Sequence, residues 1–376
     1  MKKVVTFGEV MVRLAPRENL RFEQVSPGTI DLTFGGAESS VAASVSMLGG
    51  ESRFVTALPR HAVTDAFLRQ MRGFEVDVDH VLQTKEGRFG LYYVETGANQ
   101  RPSRVIYDRQ YSAVSLSLGE AYDWDTIFLD AHWLHISGIT LAISETAAQA
   151  ALLAAKKAQA AGVTVSCDLN FRKNLWRWRS GIDARSLARE IMPEFLDYVN
   201  VVIGNEEDAA DVLDIHAGDT DVASGSIQVQ RYPEVARQIA GRFNKVHTVA
   251  ITLRESISAT HNNWGAMLYD LTSDSVVFAP IKGDCYQPYE IRNIVDRVGG
   301  GDAFAAGLIF AMSSGEFPQA QEQVDFAVAA SCLAHSVKGD FNYNSRAEVE
   351  TLMRGNTSGR VPVSYTHLRA HETLDN

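Results

Sequence analysis

Cysteine is scarce. Cys167, Cys285 and Cys332 are the three in 376 residues. The odd number and wide spacing exclude a disulfide framework, and with no CxxC pair there is no structural zinc pattern. Reduced thiols in a cytoplasmic protein are the expectation. Long apolar runs are also missing: no stretch reaches 18 consecutive apolar residues, which excludes a membrane-spanning helix. The opening MKKVVTFGEV turns from two lysines straight into a strand-like run, without the apolar region and small-residue cleavage site of an export signal. Positive charge is in deficit, with 35 Lys and Arg against 46 Asp and Glu, a formal net charge of −11, and the basic residues form no block. That balance argues against nucleic acid or an anionic membrane as partner, and an anionic small substrate would need arginines supplied locally. Finally, there is no GxxxxGK(S/T), no GxGxxG after a strand and no HRD/DFG set, so the commoner nucleotide folds have no support.

What is present is an ordinary globular balance, 45% hydrophobic and 22% charged, enough for one large domain or two modest ones. Residues 3–8 read as a strand. Residues 37–48 read as a helix with Val41, Val45 and Leu48 on one stripe and Gly49 and Gly50 to end it. Between them residues 15–33 are polar and proline-bearing, with room for a small strand pair. Residues 88–95 and 103–109 are aromatic and β-branched around the turn-like TGANQRP, which predicts a hairpin. Strands at 132–136, 163–168 and 199–204 then alternate with helices at 144–161, 185–195 and 206–213, the pattern of a parallel sheet covered by helices. Closely spaced strands near 247–253, 264–270 and 275–280 predict an antiparallel portion, followed by helices near 302–314, 318–336 and 346–354. Residues 364–376 (SYTHLRAHETLDN) lack any periodicity and read as a non-native tail.

The most informative run is Asp296-Arg-Val-Gly299-Gly300-Gly301-Asp302-Ala-Phe. Three glycines at a helix start let backbone amides converge on an anion, such as a phosphoryl group in transfer. Asp302 beside them could take the proton of an attacking hydroxyl. The plainer alternative is a turn followed by an N-cap. This run resembles the PfkB carbohydrate kinase signature D-T-x-G-A-G-D-x-F, whose last aspartate is the catalytic base, and the resemblance extends from residue 8 to about 353. It implies a three-layer α/β/α ribokinase-like fold with a mostly parallel sheet over residues 1–355, a small β lid from about 11–36 and 86–112, and the use of ATP and Mg²⁺. Phe34 to Ala42 resembles the family's sugar-facing G-G-A-x-x-N-x-A, which places Gly36, Ala37, Glu38 and Ser40 at the substrate. Ser40 departs from the usual asparagine. Asn205-Glu-Glu-Asp208 resembles N-x-x-E, implying Asn205 and Asp208 near magnesium and phosphate, although the alternative is a solvated acidic first turn. Asp168-Leu-Asn170-Phe-Arg172 ends a strand where open α/β sheets bind ligands, and Asn170 is expected at the nucleotide. Thr252 and Arg254 fall at the family's T-L-G-x-x-G, but the glycines are missing and a polar loop to Trp264 is expected instead. His132 and His135, on opposite faces of one strand, read as structural rather than as a metal pair.

Specificity should reside in the hairpin segments. Gly90-Leu91-Tyr92 and Tyr107-Asp108-Arg109 resemble the substrate-contacting segments of 2-keto-3-deoxygluconate kinases, and in that subgroup Arg172 would also face the substrate. Two guanidiniums suit a carboxylate, which they bind through paired, charge-assisted donors. Arg13 stands where relatives acting on neutral sugars carry an aspartate. The resemblance therefore implies phosphorylation of the primary hydroxyl of a sugar acid, 2-keto-3-deoxygluconate foremost. A fructokinase or other PfkB sugar kinase is the alternative, as is a non-catalytic sugar-binding protein on the same scaffold. Family members dimerise through the lid strands, so a homodimer is expected.

Overall fold

The computed structural model describes residues 2–216 and 231–356; the proposed tail at 364–376 lies outside them. Runs such as Val201–Gly204, buried at every position, can be hidden only in a sheet covered on both faces. Among the described residues nine strands build that sheet. Ser52–Val55, Lys3–Phe7, Ala131–Ser137, Thr164–Asp168, Val201–Gly204 and Thr248–Ser258 follow one another in parallel. His261–Asp270 then pairs antiparallel with Thr248–Ser258, and Ser275–Ala279 and Tyr289–Arg292 pair antiparallel with it in turn.

Helices cover both faces. Glu145–Ala160, Ala184–Leu196 and Tyr232–Arg242 bury one set of core residues, around Leu134, Val165, Val202 and Val249. On the other side Ala37–Met47, Gly300–Ser314 and Ala320–Ala334 close over Val4, Val201, Ala250 and Leu268. The outcome is the expected three-layer α/β/α arrangement. Among the described residues no helix is long and apolar enough to cross a membrane.

A second sheet of four strands runs Asp31–Gly35, Met11–Ala15, Gly90–Glu95, Arg104–Asp108. The strand pair expected within 15–33 is displaced to its ends: Met11–Ala15 and Asp31–Gly35 form it, and the short helix Phe22–Val25 lies between. Gly90–Glu95 and Arg104–Asp108 make the expected hairpin.

The polar loop expected from after Ser256 to Trp264 is instead largely a continuation of two strands. Arg254 pairs with Trp264, Glu255 with Asn263 and Ser256 with Asn262, and Asn263 donates to the Glu255 carboxylate at 2.7 Å. Solvent reaches several positions of this outer segment, including Arg254 and Ser256, so its residues are polar without being a loop. At its tip the amide of Ala259 donates to the carbonyl of Asn99 at 2.7 Å, joining the two sheets.

Candidate active site

The carboxyl ends of the parallel strands and the inner face of the small sheet enclose a cavity of about 1130 Å³, lined among others by Glu9, Asp168, Gly204, Thr252, Tyr92, Tyr107 and Asp302. At one wall the Gly300–Ser314 helix begins. Gly299 has φ +84°, and a Cβ there would lie 2.6 Å from the carbonyl oxygen of Asp340, so this position demands glycine. Ala303 supplies the first helical hydrogen bond, to Gly299 at 2.8 Å. The amides without a helical acceptor are therefore those of Gly300, Gly301 and Asp302, one residue later than the 299–301 glycines suggest, because Gly299 is the N-cap. Gly299 and Gly301 line the cavity. Gly300 does not: it packs on His335, where an added Cβ would sit 2.8 Å from the imidazole.

Asp302 is half-buried and faces this cavity. Burial, and then the charges of Asp340 and Glu38, push its carboxyl up to about 7, with Arg172 pulling the other way.

The next wall carries oxygen donors. Asp208 accepts from the amides of Phe171 at 2.9 Å and Asn205 at 3.3 Å, and the Asp208 amide donates in return to Asn205 Oδ1 at 2.8 Å, a capping box that fixes both. Burial raises the Asp208 carboxyl to about 6 against the pull of Arg172 and the two amides. Asp168, raised by burial and by the neighbouring Asp208 and Asp302, accepts from Asn170 Nδ2 at 3.2 Å. Asn170 adopts a left-handed φ of +38°, and its buried Oδ1 has no partner. Two carboxylates and an orphaned amide oxygen are hard donors that fit magnesium. Among the described residues no set of three acidic, His or Cys side chains could cage a metal, and an ion that keeps several waters and takes substrate phosphate oxygens needs none. Thr252 Oγ1 donates to Gly204 at 3.4 Å. Arg254, exposed on the rim, has no carboxylate partner among the described residues.

The small sheet supplies the opposite wall. Gly36 and Ala37 line it; at Gly36 a Cβ would fall 2.2 Å from the Glu9 carbonyl oxygen, so the chain can pass only as glycine. Tyr92 and Tyr107 stack with centroids 6.1 Å apart, and the Arg109 guanidinium lies 5.5 Å from the Tyr107 ring centroid. Arg172, donating to the Phe171 carbonyl at 3.0 Å, reaches the cavity with no carboxylate partner among the described residues.

Two expectations need correction, those for Glu38 and Ser40, and two arginines prove to be already paired. Glu38 is not on the cavity wall: it is fully buried and accepts from the Ser137 amide, the Ser137 hydroxyl and Thr140 at 2.7–2.8 Å. Ser40 is also absent from that wall, because residues 38–45 of its small-residue helix are buried in the core. Arg13 does not reach the cavity but is clamped between Asp296 and Asp340. Arg109 lines the cavity, yet its charge is already paired with Glu9, Nε donating at 2.6 Å.

Sequence reasoning assigned no role to Glu9, Asp296, Arg297 or Asp340, all on the cavity wall. The signals were slight: Glu9 directly follows a predicted strand, Asp296 and Arg297 open the glycine motif, and Asp340 follows the turn-like Lys338-Gly339.

A sequence profile described as pfkB family carbohydrate kinase matches residues 1–345. A curated 2-dehydro-3-deoxygalactonokinase of Haloferax volcanii is 30% identical over 357 residues, which is 95% of this chain and 98% of the relative. A fructokinase of Klebsiella pneumoniae is 27% identical over 90% of this chain and 94% of its own. Among solved structures, a 2-dehydro-3-deoxygluconokinase of Thermotoga maritima superposes with a TM-score of 0.84 at 41% identity, covering 94% of this chain and all of the other.

Proposed function

This chain belongs to the pfkB family of carbohydrate kinases, and from that premise we propose that it phosphorylates the primary hydroxyl of a 2-keto-3-deoxy sugar acid, 2-keto-3-deoxygluconate foremost, with ATP. The observation that carries the reading is Asp302, an unpaired carboxyl beside amides that have no helical acceptor. In this mechanism the sugar's primary oxygen attacks the γ-phosphorus, and the bond from that phosphorus to the β–γ bridging oxygen breaks, releasing ADP. Asp302 accepts the hydroxyl proton, and the amides of Gly301 and Asp302 take up the charge spread over the transferred group. Asp208, Asp168 and Asn170 would hold magnesium, which when bound neutralises phosphate charge. Asn205, Thr252 and Arg254 lie at the nucleotide end, and Gly36, Ala37, Tyr92, Tyr107, Arg109 and Arg172 at the sugar.

Arg172 supports an acid substrate, since a cation at the cavity without a carboxylate partner suits one. The two relatives named for keto-acid kinases point the same way. One observation favours a neutral sugar instead: Glu9 already neutralises Arg109. An ADP-release assay with 2-keto-3-deoxygluconate, its galactonate epimer, fructose, ribose and gluconate separates the readings. Preference for either keto acid supports the proposal, and the ratio of the two assigns the epimer. Preference for fructose or ribose would keep the phosphoryl chemistry and discard the carboxylate, while silence on all five would favour a non-catalytic sugar-binding protein.

A homodimer through the lid is part of the same reading. Arg104–Asp108 is an exposed edge strand carrying Val105, Ile106 and Tyr107, and such an edge is normally covered.

A further inference from the structure

Arg13 is among the largest fully buried side chains, 2% exposed, and it holds two carboxylates at once. Nη2 donates to Asp296 at 2.6 Å and Nη1 to Asp340 at 2.8 Å. These partners are far apart in sequence and flank the glycine turn. Asp296 opens that turn and accepts from the amides of Val298 and Gly339, both at 3.1 Å. Asp340 presses its carbonyl on Gly299 and accepts from Tyr92 Oη at 2.6 Å. Arg13 and Tyr92 are register partners on adjacent strands of the small sheet, so two neighbouring strands grip the same turn. A buried guanidinium is costly unless paired, and two buried carboxylates without it would repel. The arrangement holds together only as a set.

We propose that Arg13 is a positioning residue for phosphoryl transfer: by clamping Asp296 and Asp340 from the small sheet, it fixes residues 296–301 in the shape that presents the Gly301 and Asp302 amides and the Asp302 carboxylate to the cavity. Its side chain is absent from the cavity wall. The inference rests on reading the start of the Gly300–Ser314 helix as the phosphoryl-transfer site, so one of its tests needs no activity at all.

That test is amide hydrogen exchange on the substrate-free protein. In Arg13→Met, residues 297–302 should exchange at least about tenfold faster, with the strands of the nine-stranded sheet unchanged. Steady-state ADP release, normalised to folded protein, should show kcat lower by about 100-fold, the scale of a displaced catalytic constellation. KM for ATP and sugar should stay within about threefold. Arg13→Lys keeps the charge but reaches one carboxylate at a time; it should fall between wild type and Arg13→Met, and it decides the matter if Arg13→Met does not fold. Arg13→Ala leaves a guanidinium-sized space, and methylguanidinium should restore part of its kcat. Unchanged exchange at 297–302, or a kcat within about threefold of wild type, overturns the proposal. A wild type that phosphorylates nothing would sink the functional reading, while the exchange result would still decide whether Arg13 holds the turn.

Discussion

The Asp302 carboxylate has no hydrogen-bond partner among the described residues, so burial and neighbouring charge govern its ionisation. With a value near 7 in the folded protein and about 3.9 unfolded, the native state holds its proton more tightly. Its contribution to stability is therefore greatest at low pH and is lost as pH rises toward 7. Replacing it with asparagine should cut kcat by about a thousandfold or more, yet raise the melting temperature at pH 8 by at least a few degrees, a gain that shrinks as pH is lowered toward 4. A melting temperature lower than wild type at pH 8 would show that the carboxylate is not destabilised there. If Asp302 is the base, kcat/KM must rise with pH through a midpoint near 7. Arg172→Ala, which removes the cation opposing that shift, should move the midpoint upward while damaging use of a keto acid more than of fructose. A midpoint that stays in place, or equal losses on both sugars, would count against these roles for Arg172.

At the scale of elements, the start of the Gly300–Ser314 helix separates two glycines by their surroundings. At Gly301 a Cβ meets nothing within 4 Å, and alanine in a helix is favoured over glycine by roughly 0.5–1 kcal/mol. Gly301→Ala should leave the melting temperature equal or higher while lowering kcat, since the new methyl occupies the space beside the amides. Gly299→Ala meets both a left-handed φ and the Asp340 carbonyl, and should lower thermal stability and activity together. Thermal denaturation with parallel ADP-release assays distinguishes the pair; identical behaviour would mean that the open space at Gly301 has no catalytic use.

Across the whole molecule, the small sheet is tied to the body through Arg13 and Tyr92 deep inside, through the ion pair of Asp31 with Lys338, and through the bond from Ala259 to Asn99 at the tip. Its outer strand Arg104–Asp108 is left exposed along its length. If that strand is the dimer interface, Ile106→Asp should convert a dimer to a monomer in sedimentation velocity while leaving the far-UV spectrum unchanged. A wild type that sediments as a monomer, or a variant that remains dimeric, would remove this strand from the interface.

By itself the sequence determined the layered fold and the position of the glycine turn. Hydrophobic periodicity and glycine placement are local properties, and each strand or helix start carries its own record of burial and backbone freedom. Asp302, Asp208, Asn170 and Arg172 were legible for the same reason: each follows a strand or opens a helix within a short pattern. Only the tertiary structure decided which charges meet. Arg13 and Asp340 are 327 positions apart, and Arg109 and Glu9 are 100 apart, so no local pattern could tell a guanidinium open to substrate from one spent on a buried carboxylate. Glu38 turned inward because its helix is enclosed on every side, and Ser256 and Asn263 lie in strands despite their polarity because the pairing that orders them comes from the strand across. Pairing and burial across the fold are properties of the packed chain, and they set which of the legible residues are free to act.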